Sequence, residues 1–432
     1  MRVQLAILIR MKVDLFGGTQ LQTHWRKSWL LPVFGLILLS ACATAIENSG
    51  EAAATDGSEV AAATDDLTAG PLVTTAAPLT ADDWSSVPSE AFLHATHTLS
   101  PADWADKWQA SLQKSMMFFR AFPGGFHKDL KTVPASRQLG RQTLCVGDAH
   151  PSNFGFQRLG GKTRFIYNDL DDAGYCPVAY DAARYFAALR LFFDDGDLTD
   201  AVLETYVDAL KDPSRGVTLD KDWAPDWDQV RAKGLEQYSS GKKFYLIEDL
   251  RATSSANRSA ATATVANVSW LQGWSVLDVV EIDRKSGGSG GLDRYWLLLQ
   301  KGGTQTIVEL KQTAQPGTEQ GIHAKTLTGA SRLSQLQSAM WGYAGQDALA
   351  LVTLQGKTFL ARDRLQRKSL DVLDLHGKER QGVLQVQASV LADLHRAAWQ
   401  GVQKDAIRAW IKTSAKTLAK RWDSAYVSAG GK

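Results

Sequence analysis

Residues 142–172 constrain this chain more than any other stretch, because polar groups recur there at the ends of short apolar strands. Gln142 to Val146 reads as a short buried strand. A polar loop follows, Gly147-Asp148-Ala149-His150-Pro151-Ser152-Asn153. Phe154-Gly155-Phe156 and Phe165-Ile166-Tyr167, joined through Gly160-Gly161, then carry a hairpin signal. The hairpin returns the chain to Asn168-Asp169-Leu170-Asp171-Asp172, which sets a second polar segment beside the first. Several carboxylates at one strand end repel one another unless a cation shares them.

The rest of the chain supplies two kinds of surroundings. A helix starts at Ser100-Pro101-Ala102-Asp103, with a serine cap, a first-turn proline and an acid. Trp104, Trp108, Leu112 and Met116 continue it along one face. Pro177 to Phe193 is an amphipathic to buried helix. The second half changes character. Strands are expected over 275–282, 294–300 and 304–311, with the glycine loop Ser286-Gly287-Gly288-Ser289-Gly290-Gly291 between the first two. A helix over 331–340 and a hairpin of 348–354 with 357–361 follow. Two long helices, 379–399 and 402–426, close the chain. A block of five strands and one helix, with helices and a polar hairpin elsewhere, predicts an α+β, two-lobed domain.

A phosphate-transferring site needs a carboxylate for the attacking hydroxyl, and oxygen ligands that hold magnesium against the phosphates. Asp148 and Asn153 stand five residues apart on one loop, the spacing of base and metal ligand in the protein-kinase catalytic loop. Asp169 and Asp171 add the second carboxylate group of such a set. Taken singly, a Gly-Asp turn, a hydrogen-bonded His150 or a solvated acidic edge is ordinary. The combination is more specific than its parts. A strand, a glycine loop, two more strands and a closing lysine, Lys311, give the layout of a nucleotide-clamping lobe. Amides of Gly287, Gly288, Ser289, Gly290 and Gly291 could approach phosphates closely, glycine having no side chain.

The segments GDAHPSN and NDLDDA resemble the GDxHxxN and IDFDDA motifs of aminoglycoside and choline phosphotransferases, which share the protein-kinase-like fold. Residues from about Met116 to Leu191 resemble more closely the bacterial domain of unknown function 2252 family (DUF2252). The resemblance rests on Phe118-Phe119-Arg120, on Cys145 to His150, on Asn153-Phe154-Gly155, on Asn168 to Asp172, and on Tyr180-Asp181-Ala182-Ala183-Arg184. It continues more weakly to about His395. It implies Asp148 as catalytic base, His150 as orienter of the loop, and Asn153 and Asp169 as magnesium ligands. It also implies a kinase-like fold with permuted lobes, the nucleotide lobe encoded after the catalytic loop. ATP or another nucleotide, with Mg, would be the cofactors. Three positions depart from the pattern. Val146 stands where kinases have His, Gln312 follows the lysine where the family has an acid, and no glutamate lies between Leu327 and Met340. Gln335 or Gln337 is the expected substitute for that lysine partner. Two readings therefore stay open: a phosphotransferase of unknown acceptor, and an inactive kinase-like module that binds a ligand or partner. A metallophosphoesterase is set aside, because none of the eight histidines stands in a GNH or GHxH context.

The N-terminal residues set the compartment. Arg26 and Lys27 precede an apolar run, Trp29 to Leu39, too short to span a bilayer. Leu39-Ser40-Ala41-Cys42 follows, so residues 1–42 are expected to be a lipoprotein signal with Cys42 as the lipid-carrying (palmitate) residue. Residues 43–85 read as a flexible tether, and 86–432 as the folded domain, divided into 86–274, 275–363 and 364–432. The expected place is the cell envelope, membrane-anchored, facing the periplasm or in the outer membrane. A net charge of +2 gives no pull toward nucleic acid. Cys145 and Cys176 could pair in an exported protein, but are expected as two buried free thiols. Export and kinase chemistry collide, since ATP is scarce outside the cytoplasm.

Overall fold

The computed structural model describes residues 68–432, apart from 248, 344 and 346–348 and the side chains of 330 and 331. In chain order the elements are β1 (Thr68–Val73), α1 (Glu90–His94), α2 (Pro101–Ser111), α3 (Ser115–Ala121), α4 (Pro123–Leu130), β2 (Gly140–Cys145), β3 (Phe154–Leu159) and β4 (Lys162–Tyr167). Next come β5 (Gly174–Pro177), α5 (Val178–Phe193), α6 (Gly196–Lys211), α7 (Trp227–Tyr238), β6 (Ser239–Ser240), β7 (Lys243–Phe244), β8 (Leu250–Ala252) and α8 (Ser255–Thr264). The chain ends with β9 (Ser275–Ile282), β10 (Arg294–Lys301), β11 (Thr304–Gln312), α9 (Gly329–Trp341), β12 (Leu349–Leu354), β13 (Lys357–Asp363), β14 (Arg367–Ser369), α10 (Gly377–Trp399) and α11 (Lys404–Ser428). This is a mixed α+β architecture, as the pattern of the sequence predicts.

One antiparallel sheet dominates the second half, in the order β12-β13-β11-β10-β9-β8. It has six strands where the sequence suggests five. The extra strand, β8, is three residues long, too short to carry a period of its own. Both faces of the sheet are covered. Val279, Leu297, Leu299, Val308 and Leu310 pack with Ala261 and Val265 from the α8 region. Val280, Trp296, Leu298 and Ile307 pack on the other side with Leu235 and Tyr238 of α7. That is why β10 reads as an unbroken apolar run, not an alternating one. A second core gathers α5, α10 and α11, with Trp399, Trp410 and Trp422 fully buried. Each such side chain contributes roughly 1.5–3 kcal/mol over its exposed state.

Two small sheets carry the polar loop. β2 lies between β1 and β5. β3 lies between β4 and β14. Gly160 and Gly161, at φ +53° and +78°, make the two-residue turn of the expected β3–β4 hairpin. The helix expected from Ser100 through Met116 is divided instead. α2 stops at Ser111, and the chain turns so that Phe118 and Phe119 of α3 enter the core.

Two expectations are corrected. The tether read over 43–85 is folded from Thr68 on. β1 pairs with β2, Leu79 is fully buried, and the Leu79 amide donates to Ser414 Oγ at 2.9 Å. The segment is rich in Ala, Thr, Asp, Glu and Gly and carries no period of its own, and its partner strand lies some seventy residues away. Cys145 and Cys176 are not free thiols but a disulfide, with Cα atoms 5.8 Å apart. The antiparallel register of β2 on β5, Thr143 opposite Cys176 and Cys145 opposite Gly174, brings them together. Reducing this bond, or replacing both cysteines by serine, is expected to lower the unfolding free energy by about 2–4 kcal/mol. Urea unfolding with and without reductant measures it, and an unmoved midpoint would count against a closed bond.

Candidate functional site

The loop after β2 is held by helix α5. Asp181, fully buried in its first turn, accepts hydrogen bonds from Val146 N (2.8 Å) and Gly147 N (3.0 Å). His395 Nε2 lies 3.1 Å from the same carboxylate. Three residues on, and so on the same helix face, Arg184 donates from Nη2 to Asp148 Oδ1 at 2.5 Å and to Phe119 O at 3.1 Å. Its guanidinium stacks over Phe119 and Phe126. One helix face thus grips both the loop backbone and its key carboxylate. Gly147, at φ +76°, has no alternative: a Cβ there would stand 2.0 Å from Asp172 O. That approach is what draws the acidic run against the loop. Burial pushes His127 down to about 4, so it is neutral and its Nε2–H donates to Gly147 O at 2.8 Å.

Asp148 is buried, which opposes its ionisation, yet His150 and Arg184 hold its carboxyl well below the usual range. His150 is itself pushed down to about 4 by burial and is uncharged at neutral pH, so Arg184 is the cation that matters. Ser152 N donates to His150 Nδ1 at 3.2 Å. The ring proton is then on Nε2, 3.3 Å from Asp148 Oδ2. Arg120 Nε, 3.2 Å from that nitrogen, therefore finds no acceptor there. His150 thus bridges the Asp148 carboxylate and the loop backbone at Ser152. Asn153 donates from Nδ2 to Asp148 O (3.1 Å) and to Tyr167 Oη (3.1 Å).

Lys311, at the end of β11, reaches across to the acidic run. Its Nζ lies 3.1 and 3.0 Å from the two oxygens of Asp169 and also pairs with Asp171. Burial resists the ionisation of Asp169, but Lys311, Arg362 and Arg367 keep it well below the ordinary range. Asp172 behaves oppositely. Burial and the neighbouring Asp148, Asp171 and Asp169 raise it to about 7, although Gly317 N donates to it at 2.9 Å. The partners of Lys311 are thus aspartates, not Gln335 or Gln337. α9 packs against β4 and β12 instead, and its Arg332 donates to the carbonyls of Leu170, Asp171 and Ala173.

Of these groups Arg120, Asp148, His150, Asn153, Asp169, Asp171, Asp172 and Lys311 line one cleft of about 320 Å³, with Ser286, Gly287, Gly288 and Ser289. Gly290 and Gly291 do not line it; Gly291 lies beside Leu99 and Asp103. The glycine loop is fastened by Lys107 of α2, which is fully buried and donates from Nζ to Gly287 O (2.6 Å) and Gly288 O (2.7 Å). Burial pushes that ammonium down to about 7, against the pull of Asp172 and Asp148. Cys42 lies outside the described residues.

Sequence reasoning left several residues in and behind the cleft without a role. Behind it Glu309, fully buried, accepts from Arg294 (3.1 Å), Trp296 Nε1 (3.2 Å), Arg362 (2.5 Å) and Arg364 (3.2 Å). Burial would raise its pKa, but the three arginines hold it well below the usual carboxylate range. Arg284 and Arg367 line the cleft as well. Alternation on β11 would place Glu309 beside Lys311, but its partners lie on β10, on β13 and just after β13. Lys107 left a trace: a lysine inside the Trp104, Trp108, Ser111 face of a helix.

Residues 105–213 match the DUF2252 family model. That family is described as an uncharacterized protein conserved in bacteria. The DUF2252 match runs from α2 to just past α6. It holds Arg120, Asp148, Asn153, Asp169, Asp181 and Arg184. The glycine loop and Lys311 fall outside it. No curated protein and no solved structure matches the chain.

Proposed function

We propose that this chain is a magnesium-dependent phosphotransferase with a kinase-like, permuted cleft. ATP or another nucleotide is the donor, and the acceptor hydroxyl compound is unknown. The observation that carries this reading is the direct pairing of Lys311 with Asp169, 142 positions earlier in the chain, in a cleft that also holds Asp148, Asn153 and the glycine loop. Magnesium suits the donor set, which is all hard oxygen. Asp171 Oδ1 is buried without a hydrogen-bond partner among the described residues, and Asp169 lies on the same lysine. These two carboxylates and the Asn153 amide oxygen would hold the ion, which neutralises phosphate charge when bound. Lys311 then turns to the phosphates. Asp148, kept ionised, accepts the hydrogen bond of the acceptor hydroxyl and aims its oxygen. A P–O bond forms to that oxygen as the terminal anhydride P–O bond breaks, and the hydroxyl proton leaves toward Asp148.

A binding module without turnover is the second reading, favoured by the 2.5 Å contact of Arg184 with Asp148, which lowers the basicity of the carboxylate. Thermal stabilisation by ATP with and without magnesium, followed by release of ADP, separates the two. Stabilisation should need magnesium and should weaken in Asp169→Ala. Metal-independent binding unchanged in that variant would remove the metal assignment, and binding without ADP release would leave the module.

The chain is further read as an envelope lipoprotein, lipidated on Cys42. Supporting this are the apolar run that ends in Leu39-Ser40-Ala41-Cys42 and a disulfide suited to an oxidising compartment. Cells fed labelled palmitate should label the wild type and not Cys42→Ser; equal label on both would sink the lipoprotein reading.

A further inference from the structure

The cations around this cleft exceed what one Lys311 and one metal ion would need to hold a nucleotide. Arg294, Arg362 and Arg364 share the single carboxylate of Glu309. Arg120, Arg284 and Arg367 line the same cleft, and none has a carboxylate within ion-pairing distance among the described residues. Arg284 is exposed, and its guanidinium donates no hydrogen bond to any described group. Arg367 spends one nitrogen on Asn168 O and leaves Nε buried and unpartnered among the described residues. With Asp148 set against Arg184, seven cations face four carboxylates: Glu309, Asp169, Asp171 and Asp172. Guanidinium forks match phosphate oxygens in shape as well as charge.

The same surface gives nothing to a nucleobase. A planar base is held by an apolar slot with a few polar groups at its edge. Here the cleft side of the sheet beneath the glycine loop carries Lys311 and Glu309 on β11. Arg294 stands opposite the first of these and Arg362 opposite the second. Among the described residues that line the cleft, only Leu292 and Ala314 have apolar side chains.

We propose that the cleft reads a phosphate chain and not a base: its ligand is a linear oligophosphate of three or more phosphoryl groups, inorganic tripolyphosphate and its longer homologues included. This deepens the phosphotransferase reading and rests on it for transfer, though not for binding. Nucleoside triphosphates enter through their phosphates alone. Such a donor also suits a compartment poor in ATP. On transfer the terminal P–O–P bond breaks, the acceptor oxygen takes the phosphoryl group, and the shortened chain leaves with the electron pair of the broken bond.

Calorimetric titration of the full chain in detergent, with magnesium, tests the proposal using tripolyphosphate, ATP, GTP, CTP and AMP. Tripolyphosphate should bind within about threefold of ATP, and the three triphosphates within about threefold of one another. Arg284→Gln should weaken tripolyphosphate and the three nucleoside triphosphates by about tenfold, since a charge-assisted phosphate contact is lost and no internal ion pair is broken. ATP binding more than about tenfold tighter than tripolyphosphate or GTP would overturn the proposal. So would triphosphate binding that is unchanged in Arg284→Gln, or no binding of any of them. Binding of tripolyphosphate without transfer from it or from ATP would uphold the ligand class and bring down the phosphotransferase reading. Binding and transfer of ATP alone would do the reverse.

Discussion

Replacement of Arg184 by alanine is expected to lower the unfolding free energy by about 3–5 kcal/mol, as for other buried pairs broken on one side. Arg184 is fully buried and is the cation within 2.5 Å of Asp148. Without it, Asp148 is left ionised in a buried loop and Phe119 O loses its donor. The sign with pH follows. In the wild type the Asp148 carboxyl lies below its ordinary value of 3.8, so its pairing stabilises the fold above that pH and is lost on acidification. In Arg184→Ala the carboxyl loses one of the groups that hold it down, so its pKa rises from the wild-type position. The deficit should then be largest at neutral pH and shrink on acidification. Urea unfolding across that range measures it. Asp148→Asn added to Arg184→Ala should recover part of the loss, because the uncompensated charge is gone. A loss under about 1 kcal/mol at neutral pH, or no recovery in the double variant, would show that Arg184 does not anchor the loop through Asp148.

Lys311→Met is expected to cut turnover by about 10²–10³-fold, the usual loss when one preorganised charge facing a reacting phosphate or oxyanion is removed. The free protein should register the change too. Asp169 and Asp171 share the Lys311 ammonium, and without it two carboxylates confront each other in a buried setting. The variant should melt lower than the wild type in chelator. Magnesium alone should restore more of its stability than it adds to the wild type, because the ion no longer competes with an ammonium. Turnover within about threefold of wild type would remove Lys311 from the reaction. A magnesium response no larger than that of the wild type would separate Asp169 and Asp171 from metal binding.

Much of the frame was legible locally. The β3–β4 hairpin followed from Gly160-Gly161, α2 began at the Ser100 cap, and the Leu-rich run of β10 marked a strand. These features are written in a few adjacent residues, because turn geometry, caps and side-chain period depend on the local backbone. The polar loop and the acidic run were legible for the same reason: a short hairpin brings 147–153 and 169–172 together with little chain between them. Which charge neutralises which was decided by tertiary structure alone. Asp148 meets Arg184, Lys311 meets two aspartates and not a glutamine, and Glu309 meets three arginines, all across 15 to 142 positions of chain. β1 and the Cys145–Cys176 bond likewise depend on β2 finding both its neighbours. A buried charge is tolerable only with a partner desolvated beside it, and that partner is supplied by packing between distant segments.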